Sequence, residues 1–248
     1  MLEVRDVSVA FGGVQAVRGV SIAVAQGDLL GLIGPNGAGK TTFLRIVAGI
    51  IRADAGSIRL AGRDITRTAI HQRARLGMAL THQIVRPFRG MTLLENVMIA
   101  AAPAITATPW KAMLHVDRTE ARQKALALLE RFGIADSADR PASVLPLGYL
   151  KRMQVARALA FDPDLLMLDE PLAGLNHTEA TRLADLIGAL HREGRTIMLV
   201  EHNIAEVVRI VTRLAVLHNG ALLAEGAPAA VIARDDVRAA YLGKVKHA

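Results

Sequence analysis

The sequence predicts an α/β fold with a mostly parallel sheet, an antiparallel β part near its start and an inserted α-helical segment. Three observations support this expectation. Short apolar strands alternate with helical segments in the second half of the chain, which is typical of parallel sheets. Apolar residues alternate over 7–24, as expected of half-buried antiparallel strands. From 92 to 161 the pattern becomes helical.

The first half of the chain also contains a strand, a loop and a helix in that order. A turn at Gly27-Asp28 precedes an apolar strand over 29–33, and residues 41–48 suit a buried helix. Within the helical segment, Asp117 and Glu120 form a candidate capping box, and Gly133 can end the helix that follows.

The second half of the chain supplies the remaining strands. We predict strands over 165–168, 196–200 and 214–217, separated by helices around 183–190 and 204–211. Asn219-Gly220 predicts a type I′ hairpin after the last of these strands, and small helices close the chain.

Composition limits the classes of function. The chain has 248 residues, enough for a sizeable core, and 52% of them are hydrophobic but only 3% aromatic, which leaves few platforms for stacking bases. The absence of cysteine excludes disulfides, thiolate metal sites and cysteine nucleophiles. Lys and Arg outnumber Asp and Glu by 30 to 23, and the resulting +7 suits nucleic acid, anionic lipid or nucleotide phosphates equally.

No targeting or membrane-spanning segment is predicted. Residues 1–10 include Glu3, Arg5 and Asp6, so they lack the pattern of a signal peptide, and we expect a cytoplasmic protein. The uncharged stretch 96–110 is shorter than the roughly 20 apolar residues of a membrane span. Any membrane role is therefore expected to run through a partner.

The strongest motif is a phosphate-binding loop. Residues 34–41 match G-x-x-x-x-G-K-[ST] in full and lie between a predicted strand and a predicted helix. Lys40 is expected to reach the β and γ phosphates, and the Thr41 hydroxyl to ligate Mg²⁺. The other expected nucleotide contacts are Gly34, Asn36, Gly37, Ala38, Gly39 and Thr42. The alternative is a glycine-rich turn that merely precedes a helix.

Two adjacent acids end a later apolar strand. Asp169 and Glu170 follow the run 165–168, at the strand end where ligands gather in open α/β sheets. Asp169 is expected to hold Mg²⁺, and Glu170 to polarise the attacking water. The alternative is a pair of solvated acids.

Together these residues resemble an ABC transporter nucleotide-binding subunit over nearly the whole chain, and the ABC ATPase fold is therefore expected. The resemblance implies ATP and Mg²⁺ as cofactors. It implies that Gln83 touches Mg²⁺ and the lytic water, that His202 contacts the γ-phosphate, and that the loop 173–176 links two active sites across a dimer. Phe11 stands where the family stacks an aromatic ring on adenine, although a core-packing role for Phe11 is a rival.

The family signature L-S-G-G-Q is altered in this chain. Residues 145–149 read Leu-Pro-Leu-Gly-Tyr, and 151–160 match the helix that continues the signature. The missing serine hydroxyl would cap the helix and donate to phosphate, whereas Pro146 suits the first helical turn. Gly148 leaves room for its backbone N–H to approach the γ-phosphate that the other subunit binds.

The resemblance is closest to the branched-chain amino acid importers. It rests on Pro146, the loop 173–176, residues 92–97 and the closing 241–243. The implied partners are integral membrane permeases, a second ATPase subunit in a homo- or heterodimer and, indirectly, an extracytoplasmic solute-binding protein, with the chain peripheral at the cytoplasmic face of the inner membrane. Within one ABC ATPase domain, 1–90 and 162–248 are expected to form the RecA-like core with its antiparallel β part, and 91–161 the helical subdomain.

Three alternatives stay open. An ABC ATPase of a lipid or lipopolysaccharide exporter would share every catalytic residue. A soluble ABC ATPase of DNA repair or translation would fit the charge, but such proteins usually carry coiled coils or a second ATPase domain, and no nucleic-acid binding is expected. A degenerate subunit that binds ATP without cutting it is suggested by Pro146 and Leu147.

Overall fold

The computed structural model describes residues 1–102 and 118–242. The strands in this part of the chain are β1 (Leu2–Phe11), β2 (Val14–Val24), β3 (Leu29–Ile33), β4 (Ala55–Leu60), β5 (Arg63–Asp64), β6 (Met78–Leu80), β7 (Leu165–Asp169), β8 (Thr196–Val200), β9 (Arg213–His218) and β10 (Ala221–Gly226). The helices are α1 (Lys40–Val47), α2 (Ile70–Arg75), α3 (Leu93–Ala101), α4 (Arg118–Arg131), α5 (Leu147–Leu159), α6 (His177–Arg192), α7 (Ile204–Ile210), α8 (Pro228–Ala233) and α9 (Asp235–Leu242).

Two sheets confirm the predicted fold class. One is antiparallel, in the order β2-β1-β4-β5, and comes from the start of the chain. The other has the order β10-β9-β3-β8-β7-β6, and its strands pair in parallel except for β9 with β10. The strand that carries the phosphate loop, β3, is separated from the acidic strand β7 only by β8.

The predicted hairpin joins β9 to β10. Asn219 and Gly220 both have positive φ, 48° and 78°, and His218 pairs with Ala221 across the turn. Positive φ at both central positions defines a type I′ turn, and Asn-Gly adopts it with little steric cost. The local prediction is confirmed.

The parallel strands contribute to two hydrophobic cores. Successive residues of a strand point to opposite faces, so Leu166 and Leu168 enter one core while Leu165 and Met167 enter the other. The first core also holds α3 to α6, and the second holds α1 and the antiparallel sheet. Because a hydrophobic core covers each face of the parallel sheet, its strands are apolar nearly throughout and do not alternate between apolar and polar residues.

The helices between β6 and β7 begin at the predicted position and form part of the first core. Leu129 and Phe132 are buried, and α4 ends just before Gly133, which has φ 61° and donates its N–H to the Glu130 carbonyl over 2.9 Å. Asp117 of the candidate capping box lies outside the described residues, as do 103–110 of the uncharged stretch and Gly243. The division into core and helical subdomain stays a prediction.

Among residues 1–102 and 118–242, no helix combines the length and the apolar character that crossing a membrane requires.

Candidate functional site

The phosphate loop connects β3 to α1 and requires glycine at two positions. Gly39 is the N-cap of α1 with φ 96°, and a Cβ there would lie 2.4 Å from the carbonyl oxygen of Ala16. A Cβ on Gly34 would lie 2.2 Å from the carbonyl oxygen of Leu217. Neither position has room for a side chain. The loop is thus held closely against neighbouring backbone at the N-terminal end of a helix, where anions bind favourably.

Lys40 is buried and turned back onto the loop. Its Nζ donates to the carbonyl oxygens of Gly34 over 2.7 Å and Pro35 over 3.1 Å, and the side chain is only 5% exposed. Burial lowers the pKa of Lys40, and the nearby carboxylates of Glu170 and Asp169 oppose this shift. A nucleotide phosphate would offer the ammonium group anionic acceptors instead of neutral carbonyls.

Thr41 and Asp169 meet at the start of α1. The Thr41 hydroxyl donates to Oδ1 of Asp169 over 3.1 Å, and Asp169 is 3% exposed. Burial raises the pKa of Asp169, while the hydrogen bond from Thr41 opposes that shift. A hydroxyl and a carboxylate oxygen side by side are hard ligands of the kind that Mg²⁺ prefers together with substrate phosphates. The two side chains therefore fit a magnesium ion.

Glu170 lies where three segments converge. Its backbone has φ 46°, in the left-handed region that a non-glycine residue seldom adopts without support. Its carboxylate Oε2 accepts from Nε2 of Gln83 over 2.7 Å and lies 3.6 Å from Nδ1 of His202. The predicted catalytic residues are thus neighbours, although they come from distant parts of the sequence.

One open cavity of about 500 Å³ joins these groups. Its lining residues are Ala16, Asn36, Gly37, Ala38, Gly39, Lys40, Thr41, Thr42, Gln83, Glu170 and His202. The phosphate loop forms one wall, and the three residues expected to act on water form the other. Gly34 and Asp169 are not among the residues that line this cavity.

Phe11 and Ala16 belong to neighbouring strands of the first hairpin, but only Ala16 lines the cavity. Phe11 is 50% exposed, so the rival core-packing role for this ring is wrong. Its proposed stacking on adenine stays a prediction.

The altered signature region lies away from this cavity, at the start of α5. Pro146 is the N-cap residue and the helix begins at Leu147, so the proline immediately precedes the first turn. No side chain caps this end, because proline has no group to do so. Gly148 is buried, and a Cβ there would lie 2.4 Å from Oε1 of Glu179. Its predicted contact with a partner-bound phosphate stays a prediction.

Glu201 is a residue of this region that sequence reasoning missed. It is fully buried at the end of β8, where its carboxylate accepts the backbone N–H of Leu172 over 2.6 Å and of His202 over 3.1 Å. Burial raises the pKa of this carboxyl group. The rule that drew attention to Asp169, an acid at the carboxyl end of a parallel strand, applies equally to Glu201 and could have identified it.

Lys151 is a second missed residue. The sequence indicated only that it belongs to the helix after the signature, yet its Nζ contacts the backbone of both Gln83 and Glu170. No sequence pattern reveals this, because the contact depends on which face of α5 packs against the site.

Comparisons with known proteins agree with this geometry. The family model described as ABC transporter matches residues 17–173. The chain belongs to the ABC transporter family. It is 37% identical to the high-affinity branched-chain amino acid transport ATP-binding protein LivG of Salmonella typhimurium, with 98% of each chain covered. It is 36% identical to the corresponding protein BraF of Pseudomonas aeruginosa, again with 98% of each covered.

Solved structures identify the fold independently. The ADP conformation of MJ1267, an ATP-binding cassette of an ABC transporter, superposes with a TM-score of 0.86 at 30% identity, covering 98% of this chain and 99% of that one. The ABC ATPase fold and the family resemblance are therefore confirmed. The chain is an ATPase of this family.

Proposed function

We propose that the chain is the ATP-hydrolysing subunit of an ABC importer for branched-chain amino acids. The relatives that match it from end to end carry that transport function in their names. The observation that carries the chemical part of the proposal is the contact between Thr41 and Asp169, which joins the phosphate loop to the acidic strand end at one cavity.

ATP binding is assigned to the phosphate loop. Lys40 would exchange its two carbonyl partners for the β and γ phosphates, while backbone N–H groups at the start of α1 hold the remaining oxygens. Thr41, Asp169 and Gln83 would hold Mg²⁺, which neutralises charge that develops on the transferred phosphate.

Hydrolysis is assigned to Glu170 with Gln83 and His202. A water held by the Glu170 carboxylate attacks the γ-phosphorus, the bond from that phosphorus to the bridging oxygen of ADP breaks, and Glu170 accepts a proton from the water. Gln83 fixes the Glu170 carboxylate through its 2.7 Å hydrogen bond, and Nδ1 of His202 lies 3.6 Å from the same carboxylate. These groups contribute by positioning and by charge.

The complete site is proposed to need a second ATPase subunit, in a homo- or heterodimer. Gly148 is not part of the cavity that its own chain forms. We infer that the N-terminal end of α5 contacts the γ-phosphate bound by the other subunit, and that the loop 173–176 connects the two sites. ATP would then hold the dimer closed until it is hydrolysed.

Integral membrane permeases are the proposed membrane partners, with an extracytoplasmic solute-binding protein acting through them. An apolar groove of about 310 Å³, lined in part by Ile70 and Phe161, lies beside residues 81–88, which follow β6 and are called the Gln83 segment below. Ile84 and Phe88 of that segment are 69% and 50% exposed. Exposed apolar surface of this kind marks protein contacts, so we assign this side to the permeases.

This assembly implies a peripheral position at the cytoplasmic face of the inner membrane and no nucleic-acid partner. We also propose that the chain forms a single ABC ATPase domain. In it, 1–90 and 162–248 form the RecA-like core with its antiparallel β part, and 91–161 form the helical subdomain.

The decisive experiment is reconstitution of the chain with its co-purified permeases and solute-binding protein in proteoliposomes. We expect ATP-dependent uptake of radiolabelled leucine, and no uptake with Lys40→Ala. Uptake of another solute class, or outward transport of lipid, would overturn the importer assignment and favour the exporter alternative. Salt-sensitive binding of nucleic acid would favour a soluble ABC ATPase instead.

A further inference from the structure

Lys151 links α5 to the proposed catalytic residues. It lies in the first turns of this helix and is only 2% exposed. Its Nζ donates to the carbonyl oxygen of Gln83 over 2.8 Å and to that of Glu170 over 2.9 Å. A single buried ammonium group thus contacts the backbone of two residues that are 87 positions apart.

Burial of this charge requires an explanation, because an ammonium group loses its hydration when it is buried. Its hydrogen-bond acceptors are the neutral carbonyls of Gln83 and Glu170, and within the described part of the chain no carboxylate forms a salt bridge with it. Burial lowers the pKa of Lys151, and the carboxylates of Glu201, Glu170 and Asp169 oppose the shift. The acidic surroundings therefore help to keep a cation where it can bind the two carbonyls.

The two carbonyls belong to residues that also contact each other. Gln83 and Glu170, hereafter the hydrolytic pair, are joined through their side chains by the 2.7 Å hydrogen bond. Lys151 joins the same two residues through their backbones, so the three residues form a closed ring of contacts. Glu170 has the strained φ of 46°, and its carbonyl is one of the two that Lys151 fixes.

A neighbouring contact strengthens the connection. Gln154, one turn further along α5, is 4% exposed and donates Nε2 to the carbonyl oxygen of His82 over 2.8 Å. Lys151 and Gln154 lie on the same face of α5. Their side chains donate hydrogen bonds to the backbone carbonyls of two consecutive residues, Gln83 and His82. The Gln83 segment is attached to α5 rather than only to the sheet.

We propose that Lys151 is a positioning residue that holds the hydrolytic pair in its working geometry and makes that geometry depend on the placement of α5. The proposal rests on the proposed function, because it takes Gln83 and Glu170 as the residues that act on water. It adds that α5, whose first turn is assigned to the nucleotide of the other subunit, also controls hydrolysis in its own subunit. An error of about 1 Å in such positioning can lower turnover by about a hundredfold.

The test compares Lys151→Met, Lys151→Arg and the control Lys124→Met, made in the full chain assembled with its permeases. Lys124 lies on α4, in the same group of helices, and is exposed. Steady-state kcat and KM, equilibrium affinity for a fluorescent ATP analogue and thermal unfolding are measured for each. Lys151→Gln is a second neutral variant if Lys151→Met fails to fold.

We expect Lys151→Met and Lys151→Gln to lower kcat at least about tenfold, with nucleotide affinity within about twofold of wild type. Lys151→Arg should recover most of the loss, because guanidinium keeps both charge and donors. Lys124→Met should match the wild type. A wild-type kcat in the neutral variants, or an equal loss in Lys151→Arg, would overturn the positioning role.

Glu170→Gln is measured in parallel to separate the two ideas. If Glu170→Gln hydrolyses ATP normally, the proposed hydrolytic residues are wrong whatever Lys151 does. If Glu170→Gln is inactive while the neutral Lys151 variants are fully active, the proposed function stands and the role of Lys151 is wrong.

Discussion

The Thr41 hydroxyl donates to Oδ1 of Asp169 over 3.1 Å, although 128 residues separate them in the chain. Strand β8 lies between β3, which leads through the phosphate loop to Thr41, and β7, which ends at Asp169, so the carboxyl ends of β3 and β7 lie at the same edge of the sheet. This contact is where the phosphate loop and the acidic strand end come together.

Lys40→Ala should weaken nucleotide binding. The ammonium group is buried beside the loop, and charge-assisted hydrogen bonds to phosphate contribute about 1.5–3 kcal/mol, which corresponds to about a 10–150-fold loss of affinity. Equilibrium titration with a fluorescent ATP analogue measures the change, with exposed Lys124→Ala as the control. Unchanged affinity in Lys40→Ala would remove this residue from the phosphate site.

Glu170→Gln should preserve ATP binding while nearly abolishing turnover. Glutamine can still accept a hydrogen bond from Gln83, but it cannot take a proton from water, and such a base contributes about 10²–10⁴-fold to the rate. We also expect ATP to trap this variant as a closed dimer, visible by size-exclusion chromatography. Normal steady-state hydrolysis would show that Glu170 is not the catalytic base.

Gly34→Ala should distort the loop and destabilise the protein. The new Cβ would lie 2.2 Å from the carbonyl oxygen of Leu217, and forcing extra volume into packed backbone costs about 1–3 kcal/mol. Thermal unfolding and ATP titration should both show the loss. Gly90→Ala is the matched control, since nothing lies within 4 Å of its added Cβ. Equal behaviour of the two variants would contradict the close packing described for the loop.

Glu201→Gln should change the pH dependence of stability. Burial raises the pKa of Glu201 above its usual 4.5, so its ionisation costs more in the folded protein than in the unfolded chain. That cost is absent below the usual pKa and is fully present above the raised one. We therefore expect the Tm of the variant, relative to wild type, to become more favourable as pH rises from about 4 to about 7.

Scanning calorimetry at constant ionic strength measures this difference, and Glu130→Gln at an exposed position is the control. A Tm difference for Glu201→Gln that does not vary with pH, or that becomes less favourable as pH rises, would argue against a buried carboxyl with a raised pKa.

Local sequence signals were sufficient for much of the fold. Asn219-Gly220 determines its hairpin because both residues tolerate positive φ, and Gly37 and Gly39 of the phosphate loop adopt positive φ values of 79° and 96° that glycine accepts without strain. The order of apolar strands likewise predicted the parallel sheet. In each case the structural preference is carried by neighbouring residues in the sequence.

Contacts made across the fold could not be predicted in the same way. The position of Lys151 beneath Gln83 and Glu170 depends on the packing of α5 against the sheet, which no periodicity in the sequence specifies. Similarly, the sequence does not specify that Ala16 lines the cavity and Phe11 does not, because this depends on how β1 and β2 pack beside the phosphate loop. Motif spacing identified the residues expected to bind nucleotide and act on water more readily than the residues that hold them in position.

The most direct measurement is a crystal structure of Glu170→Gln grown with saturating ATP and Mg²⁺. We expect one nucleotide in the cavity, with its phosphates at Lys40 and with both Thr41 and Asp169 beside the magnesium ion. A cavity without nucleotide, or a nucleotide whose phosphates lie away from these residues, would contradict the assignment of the site.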